Sequence, residues 1–347
     1  MTYPKIELHV HLEGAIRPQT LFALAAKNKV TLPVDTLQEL EDFYVFSDFN
    51  HFVDVWNVTT DVLFDADDFR RVVVEYAKEA ASFGVSYFEG IFSPGQYYVR
   101  GIDGQALFEG FTDGIQAARE ETGVEVRLTP DLDRRRPIEI SERIVADAVK
   151  FRDRGIVGLG LGGRERADPA SKFADVFRFA RDHGLASVPH AGEDAGPESV
   201  RDVIDVLHAH RVRHGIRAIE DATLVDEIID RDIVLDVCPT SNLRTRVIAD
   251  WKDHPLPELI ASGIPLTINT DDPAMFGTDL GVEHRLAIEA GADPRALFEA
   301  GILGQLAGDE VADRLRAIAD AHWGVGAVGA GGVGTADAAA GGAGSAR

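Results

Sequence analysis

The sequence predicts an α/β fold, a closed (β/α)8 TIM barrel with a helical insertion after the first strand–helix unit. Two observations carry that expectation. Eight short runs rich in β-branched residues recur between residues 4 and 310, and longer amphipathic stretches separate them. The first strand-to-helix turn reads HLEGAIRP, so the glycine-rich phosphate loop that opens many doubly wound sheets is missing. Roughly 300 residues suit eight such units, because a barrel of this kind takes about 250 plus insertions.

In chain order, the first strand is expected over 6–11, where apolar and polar residues alternate up to a histidine pair. The stretch 32–69 follows the first helix and is rich in aromatics, among them Phe43, Phe46, Phe52, Trp56 and Phe64. It is the insertion, either a cover over the barrel mouth or a helical hairpin packed on the outer wall. Further strands are expected over 85–93, 124–132, 156–162, 186–191, 211–214, 233–238 and 265–270. Apolar residues at helical spacing mark helices over 105–122, 140–154, 175–183, 199–208 and 224–231. No Ser/Pro-rich linker interrupts this span, so residues 1–323 read as a single domain. The last stretch, 324–347, is rich in Gly and Ala with almost no large apolar side chain, and is expected to be disordered.

Composition removes several function classes. One cysteine, Cys238, makes neither an intrachain disulfide nor a cysteine-dominated zinc site, and it excludes the Cys/His deaminases that act on single nucleotides within nucleic acid. Cys238 reads as a small buried apolar residue. Thirty-five basic against 58 acidic residues give 35 − 58 = −23, a surface expected to repel nucleic acid and anionic lipid. No apolar run approaches the roughly 18 residues of a membrane helix, and the N-terminus lacks the apolar stretch of a signal peptide. A cytoplasmic location is the resulting expectation, with no nucleic-acid and no membrane partner.

Chemistry concentrates at the predicted strand ends. His9 and His11 stand two apart, so both imidazoles leave the first strand on one face, toward the mouth of a barrel. His190 in VPHAGE ends the fifth strand, His214 in RVRHG the sixth, and Asp271 with Asp272 in INTDDP the eighth. Three neutral imidazoles and a carboxylate form a donor set that Zn²⁺ accepts, with a position left for water.

Taken together and in order, PKIELHVHLEG, GLGLGGRE, VPHAGE, RHGIRAIED, CPTSN and NTDDP resemble the adenosine/adenine deaminase family of the amidohydrolase superfamily, over about residues 4–310. The resemblance implies that His9, His11, His190 and Asp271 ligate one Zn²⁺ per chain. Glu193 would then be the general acid that protonates purine N1, with Glu165 the next candidate. His214 would orient the attacking water and assist proton removal, Asp272 would contact N7, and the Gly163 backbone N–H would contact N3. Water replaces the 6-amino group and ammonia leaves. The implied partner is a small-molecule purine.

Two positions depart from the family pattern. Glu13 stands where adenosine-specific members carry Asp against the ribose. Its side chain is expected at the rim of the pocket as a substrate-binding residue. Arg213 stands where Gly or Asp commonly precedes the histidine. The substrates in view are adenosine or 2′-deoxyadenosine, free adenine, and 6-amino-6-deoxyfutalosine, with a 6-aminopurine nucleoside first. Ser241 and Asn242 read as loop-structuring, and His208, His210, His254, His284 and His322 as ordinary surface or core histidines. The Arg134–Arg136 run reads as a solvated face that could also meet an anionic substrate group.

Overall fold

The computed structural model describes residues 3–46 and 49–324. Among them are nine strands: β1 (Lys5–His11), β2 (Val85–Phe92), β3 (Glu125–Asp133), β4 (Gly158–Gly162), β5 (Ala186–Ser187), β6 (His190–Ala191), β7 (Arg211–His214), β8 (Val234–Val237) and β9 (Leu266–Ile268). The helices of the first half are α1 (Pro18–Asn28), α2 (Leu37–Phe43), α3 (Phe49–Thr60), α4 (Ala66–Ser82), α5 (Pro94–Tyr98), α6 (Gly104–Thr122) and α7 (Ile138–Lys150). Those of the second half are α8 (Ala174–Asp182), α9 (Pro197–Val206), α10 (Ala222–Asp230), α11 (Pro239–Arg244), α12 (Leu256–Ser262), α13 (Pro273–Phe276), α14 (Leu280–Glu289), α15 (Pro294–Gly304) and α16 (Asp309–Trp323). Apart from Gly324, the terminal stretch read as disordered lies outside the described residues.

Every strand pairs in parallel with its chain neighbour, in the runs β1-β2-β3-β4-β5 and β6-β7-β8-β9. The fifth expected strand is thus split at Val188 and Pro189, where proline has no N–H for the ladder. Val188 N–H still donates to Leu159 O at 3.0 Å and Arg213 N–H to Pro189 O at 3.0 Å, so the wall continues through the break. At the other seam Val10 bridges Asp271 in parallel, with His11 N–H to Asp271 O at 2.7 Å and Asp271 N–H to His9 O at 3.1 Å. Asn269 Oδ1 adds bonds from the amides of Leu8 and His9 at 2.7 and 3.2 Å. The seam therefore places the end of β1 against the residues that follow β9.

Several helices start where the sequence supplies a side-chain acceptor for the free first-turn amides. Asp65 and Asp68 form a reciprocal capping box at α4, and Thr36 and Glu39 do the same at α2. Asp221, Asp279 and Asp293 cap α10, α14 and α15. One apolar cluster runs between the strands and most of the helices, and a smaller one joins Ile6, Leu8 and Tyr87 to Phe298, Val311 and Leu315. The barrel interior is polar in part. Arg211, fully buried, donates to Asp236 Oδ2 at 2.5 Å, Glu89 Oε2 at 2.7 Å and Gly304 O at 2.6 Å, tying β7 to β8, β2 and α15.

Among the described residues no helix is long and apolar enough to cross a membrane. The insertion over 32–69 supplies α2 and α3, and α3 lies at the barrel mouth, where Phe52 and Trp56 form part of the cavity wall. Phe52 stacks on Phe276 of α13 at 5.6 Å between ring centroids, and Trp56 meets His11 edge-on at 5.6 Å.

Candidate metal and active site

His9 and His11 leave the end of β1, His190 opens β6, His214 closes β7 and Asp271 follows β9. His214 and Asp271 both adopt left-handed backbone, with φ of 61° and 62°. Such strain at non-glycine residues persists where the surroundings fix it, here at two turns that aim side chains inward.

Ligand atoms of His9, His11, His190 and Asp271 converge within 4.8 Å of one another, and all four residues are buried. Asp271 Oδ1 lies 3.2 Å from His9 Nε2 and 3.3 Å from His11 Nε2, while the Nε2 atoms of His11 and His190 face each other at 3.3 Å. Burial, with the neighbouring histidines and Arg213, pushes His11 down to about 3 and His190 well below its ordinary value. Both rings are therefore neutral at neutral pH, with lone pairs free. Burial opposes the Asp271 carboxylate, yet His9, His214 and His11 hold it well below the usual range. Neutral imidazole nitrogens crowded around an ionised carboxylate fit a divalent ion of the zinc type.

The supports of this cluster reach beyond the donors. Ser241 Oγ donates to Asp271 Oδ2 at 2.6 Å, fixing the carboxylate. The Asn242 amide lies 3.3 Å from His214 Nδ1 and 3.2 Å from His254 Nε2. The CPTSN segment thus orients two functional side chains, a larger role than loop structuring, and the buried His254 serves that network. Short motifs held no sign of it, because the partners lie 28 to 30 positions away in sequence. Cys238 is buried as expected, 3.4 Å from His9 Nδ1.

Glu193 reaches the cavity with 22% of its side chain exposed, its Oε2 3.6 Å from His214 Nε2. Desolvation, reinforced by the charges of Asp271, Glu165 and Asp194, pushes its carboxyl well above the ordinary value. It is a proton donor in waiting. Burial, opposed by Asp271 but aided by His9, pushes His214 down to about 3, so it too is neutral.

Glu165 holds a different post from that of an acid. Its carboxylate accepts from the amides of Gly192, Glu193 and Asp194 at 2.7, 2.7 and 2.8 Å and from Ser199 Oγ. It clasps the turn that carries Glu193. Asp272 borders the cavity with Oδ1 buried and without a hydrogen bond, and burial plus Asp271, Glu13 and Glu193 raise its pKa well above normal. Gly163 also lines the cavity and turns at φ 86°, a conformation that favours glycine.

Glu13 is not at the rim. Fully buried, it accepts from Ser93 N–H at 2.8 Å and Tyr97 Oη at 3.2 Å, outside the cavity lining. The tight turn after β1 carries residue 13 away from the face shared by His9 and His11, so period-two alternation fails there. The solvated Arg134–Arg136 run is also corrected at its first member. Arg134 is buried, donating to Asp168 O and His190 O at 3.1 and 3.0 Å, whereas Arg135 reaches the cavity wall paired with Asp133 at 2.9 Å.

The cavity above these groups encloses about 1070 Å³, part of it open to solvent, and runs from the histidine cluster to Phe52, Trp56 and Phe276. The sequence profile of the family described as adenosine deaminase matches residues 4–302. A relative from Acidothermus cellulolyticus, named aminodeoxyfutalosine deaminase, is 48% identical over 322 residues, 91% of this chain and 90% of that one. Among solved structures, an adenine deaminase from Arthrobacter aurescens superposes with a TM-score of 0.87 at 31% identity, covering 93% of this chain and 99% of its own. An amidohydrolase from Burkholderia ambifaria, solved with bound zinc, superposes at 0.85 with 27% identity, covering 92% of this chain and 90% of its own.

Proposed function

The chain belongs to the adenosine deaminase family of metal-dependent aminohydrolases, and from that premise we propose that it deaminates a 6-aminopurine nucleoside with a bulky 5′ substituent, of the aminodeoxyfutalosine kind. The observation that carries the reaction type is a raised carboxyl, Glu193, beside a four-donor metal cluster at the floor of one cavity.

His9, His11, His190 and Asp271 would hold one Zn²⁺, which supplies water activation at neutral pH when bound. Glu193 protonates N1 of the ring and makes C6 electrophilic. His214, neutral and held through Asn242, orients the water toward C6. Asp272 meets N7 with its unpartnered Oδ1, and the Gly163 N–H meets N3. The water oxygen bonds to C6 and the C6–N bond breaks; one water proton completes the leaving ammonia, the other restores Glu193, and the proton Glu193 gave stays on N1 of the 6-oxo product.

Support for a large substituent comes from the outer cavity and from the relative in A. cellulolyticus. Free adenine would leave the apolar wall of Phe52, Trp56 and Phe276 bare, whereas an aromatic substituent would cover it. Arg135 and Arg164 border the same cavity and would meet an anionic group on that substituent. Glu13 contributes at one remove, by fixing Ser93 at the wall and the buried Tyr97 behind it rather than by touching a sugar.

Ammonia release from adenine, adenosine and aminodeoxyfutalosine tests the reading. The expected kcat/KM for aminodeoxyfutalosine exceeds the other two at least tenfold, about 1.4 kcal/mol of transition-state discrimination. A preference for free adenine would contradict the substituent and leave the deamination standing.

A further inference from the structure

The strand β4 reads GLGLG, and its alternate glycines face the barrel interior. A Cβ on Gly160 would overlap both Asp131 Oδ1 and the Arg213 guanidinium, and one on Gly162 would come within 3.1 Å of Asp131 Oδ2. Two missing side chains thus open a slot through which Arg213, on β7, reaches β3. There it pairs with Asp131 Oδ1 and donates to Thr129 Oγ1 at 2.6 Å. Arg213, Thr129 and Asp131 are all buried. A charge pair so deep is costly to desolvate and is weak evidence of stabilisation for its own sake.

The other oxygen of the pair shows what it does. Asp131 Oδ2 is a buried atom that makes no hydrogen bond, and it lies 3.4 Å from His190 Nδ1. The same ring nitrogen lies 3.2 Å from Leu161 O. A histidine that offers Nε2 to a metal must carry its proton on Nδ1, and an acceptor facing Nδ1 fixes both the tautomer and the ring plane.

We infer that Asp131, held across the β4 glycine slot by an Arg213 that Thr129 anchors, is a positioning residue that aims His190 Nε2 at the metal site. The departure at position 213 and the alternate glycines are then two parts of one device. Arg213 holds the carboxylate in place, and the glycines give both side chains room. Asp131 acts on the reaction only through His190. The inference rests on the metal-dependent reading above.

The test is zinc affinity by chelator competition, with the melting temperature of the metal-free protein measured alongside. Asp131→Asn keeps the shape and weakens the acceptor. Its zinc affinity should fall about 10- to 100-fold, while at saturating zinc the substrate KM stays within twofold. In a His190→Ala background the same substitution should change zinc affinity less than twofold, because the ring it aims is gone.

Asp131→Asn leaves the Arg213 charge uncompensated and could fail to fold, so the double variant Asp131→Leu with Arg213→Met removes both charges together. Its zinc affinity should also fall at least tenfold with the metal-free melting temperature close to wild type. Wild-type affinity in either folded variant, or an equal loss in the presence and absence of His190, would overturn the positioning role while leaving the metal site intact. A wild-type protein that binds no divalent ion would overturn the role together with the reading it rests on.

Discussion

Glu193 is where a single side chain decides the chemistry. Its carboxyl is raised by burial and by three neighbouring acids, so it is protonated over a range in which an ordinary glutamate is ionised. Turnover should therefore decline as pH rises through that elevated pKa, when the acid form is lost. Glu193→Gln keeps the size but carries no proton to give, so kcat should drop by about 10² to 10⁴ with zinc content unchanged. Ammonia release and metal analysis on the same preparation check both halves, and near-normal turnover would move the acid elsewhere. At this scale the sequence was most legible where function sits in short motifs at strand ends. HxH, HAGE and TDDP each contributed residues that the fold brings to one cavity. It was least legible where a side chain works through a distant partner. Glu165 looked like a spare acid and is instead bound by amides 27 to 29 positions away. Strand alternation points Glu13 at the rim, and the turn after β1 interrupts that alternation.

Among the elements, α3 carries the difference between a site for a base and a site for something larger. Its aromatic residues were visible in the sequence, but whether they covered the mouth or the outer wall depended on where a chain of two short helices turns back, which local pattern does not encode. Trp56 stands edge-on to His11, and Phe52 stacks on Phe276, so the helix is pinned to both floor and wall. Trp56→Ala should raise KM for a nucleoside with an aromatic 5′ substituent several-fold while leaving KM for adenine within twofold, because only the former contacts that wall. Equal effects on both would show that the helix shapes the metal floor instead. The stretch 186–191, ASVPHA, is too short and mixed for its pattern to show whether Pro189 ends the strand or only interrupts it. Its backbone partners persist on both sides, so the element is interrupted in hydrogen bonding but not in direction.

Across the whole molecule, the eightfold alternation of strand and helix was enough to indicate the barrel, and parallel pairing from β1 around to the Val10–Asp271 bridge bears it out. What periodicity left hidden was the polar filling of the interior. Arg211 binds two buried carboxylates, Glu89 and Asp236, from strands on either side of the barrel. Arg211→Met would leave both without a cation, at a cost of about 3 to 5 kcal/mol, and denaturant unfolding should show it. A loss under about 1 kcal/mol would mean that the carboxylates find protons or water at little cost. The central claim is that this barrel presents a metal-dependent site for replacing a purine 6-amino group by oxygen. Its most direct test is ammonia release from aminodeoxyfutalosine by protein stripped of metal and then titrated with zinc. No release is expected from the stripped protein, and full recovery at about one zinc per chain. Equal release with and without metal, or none from any of the three purines at full zinc occupancy, would contradict it.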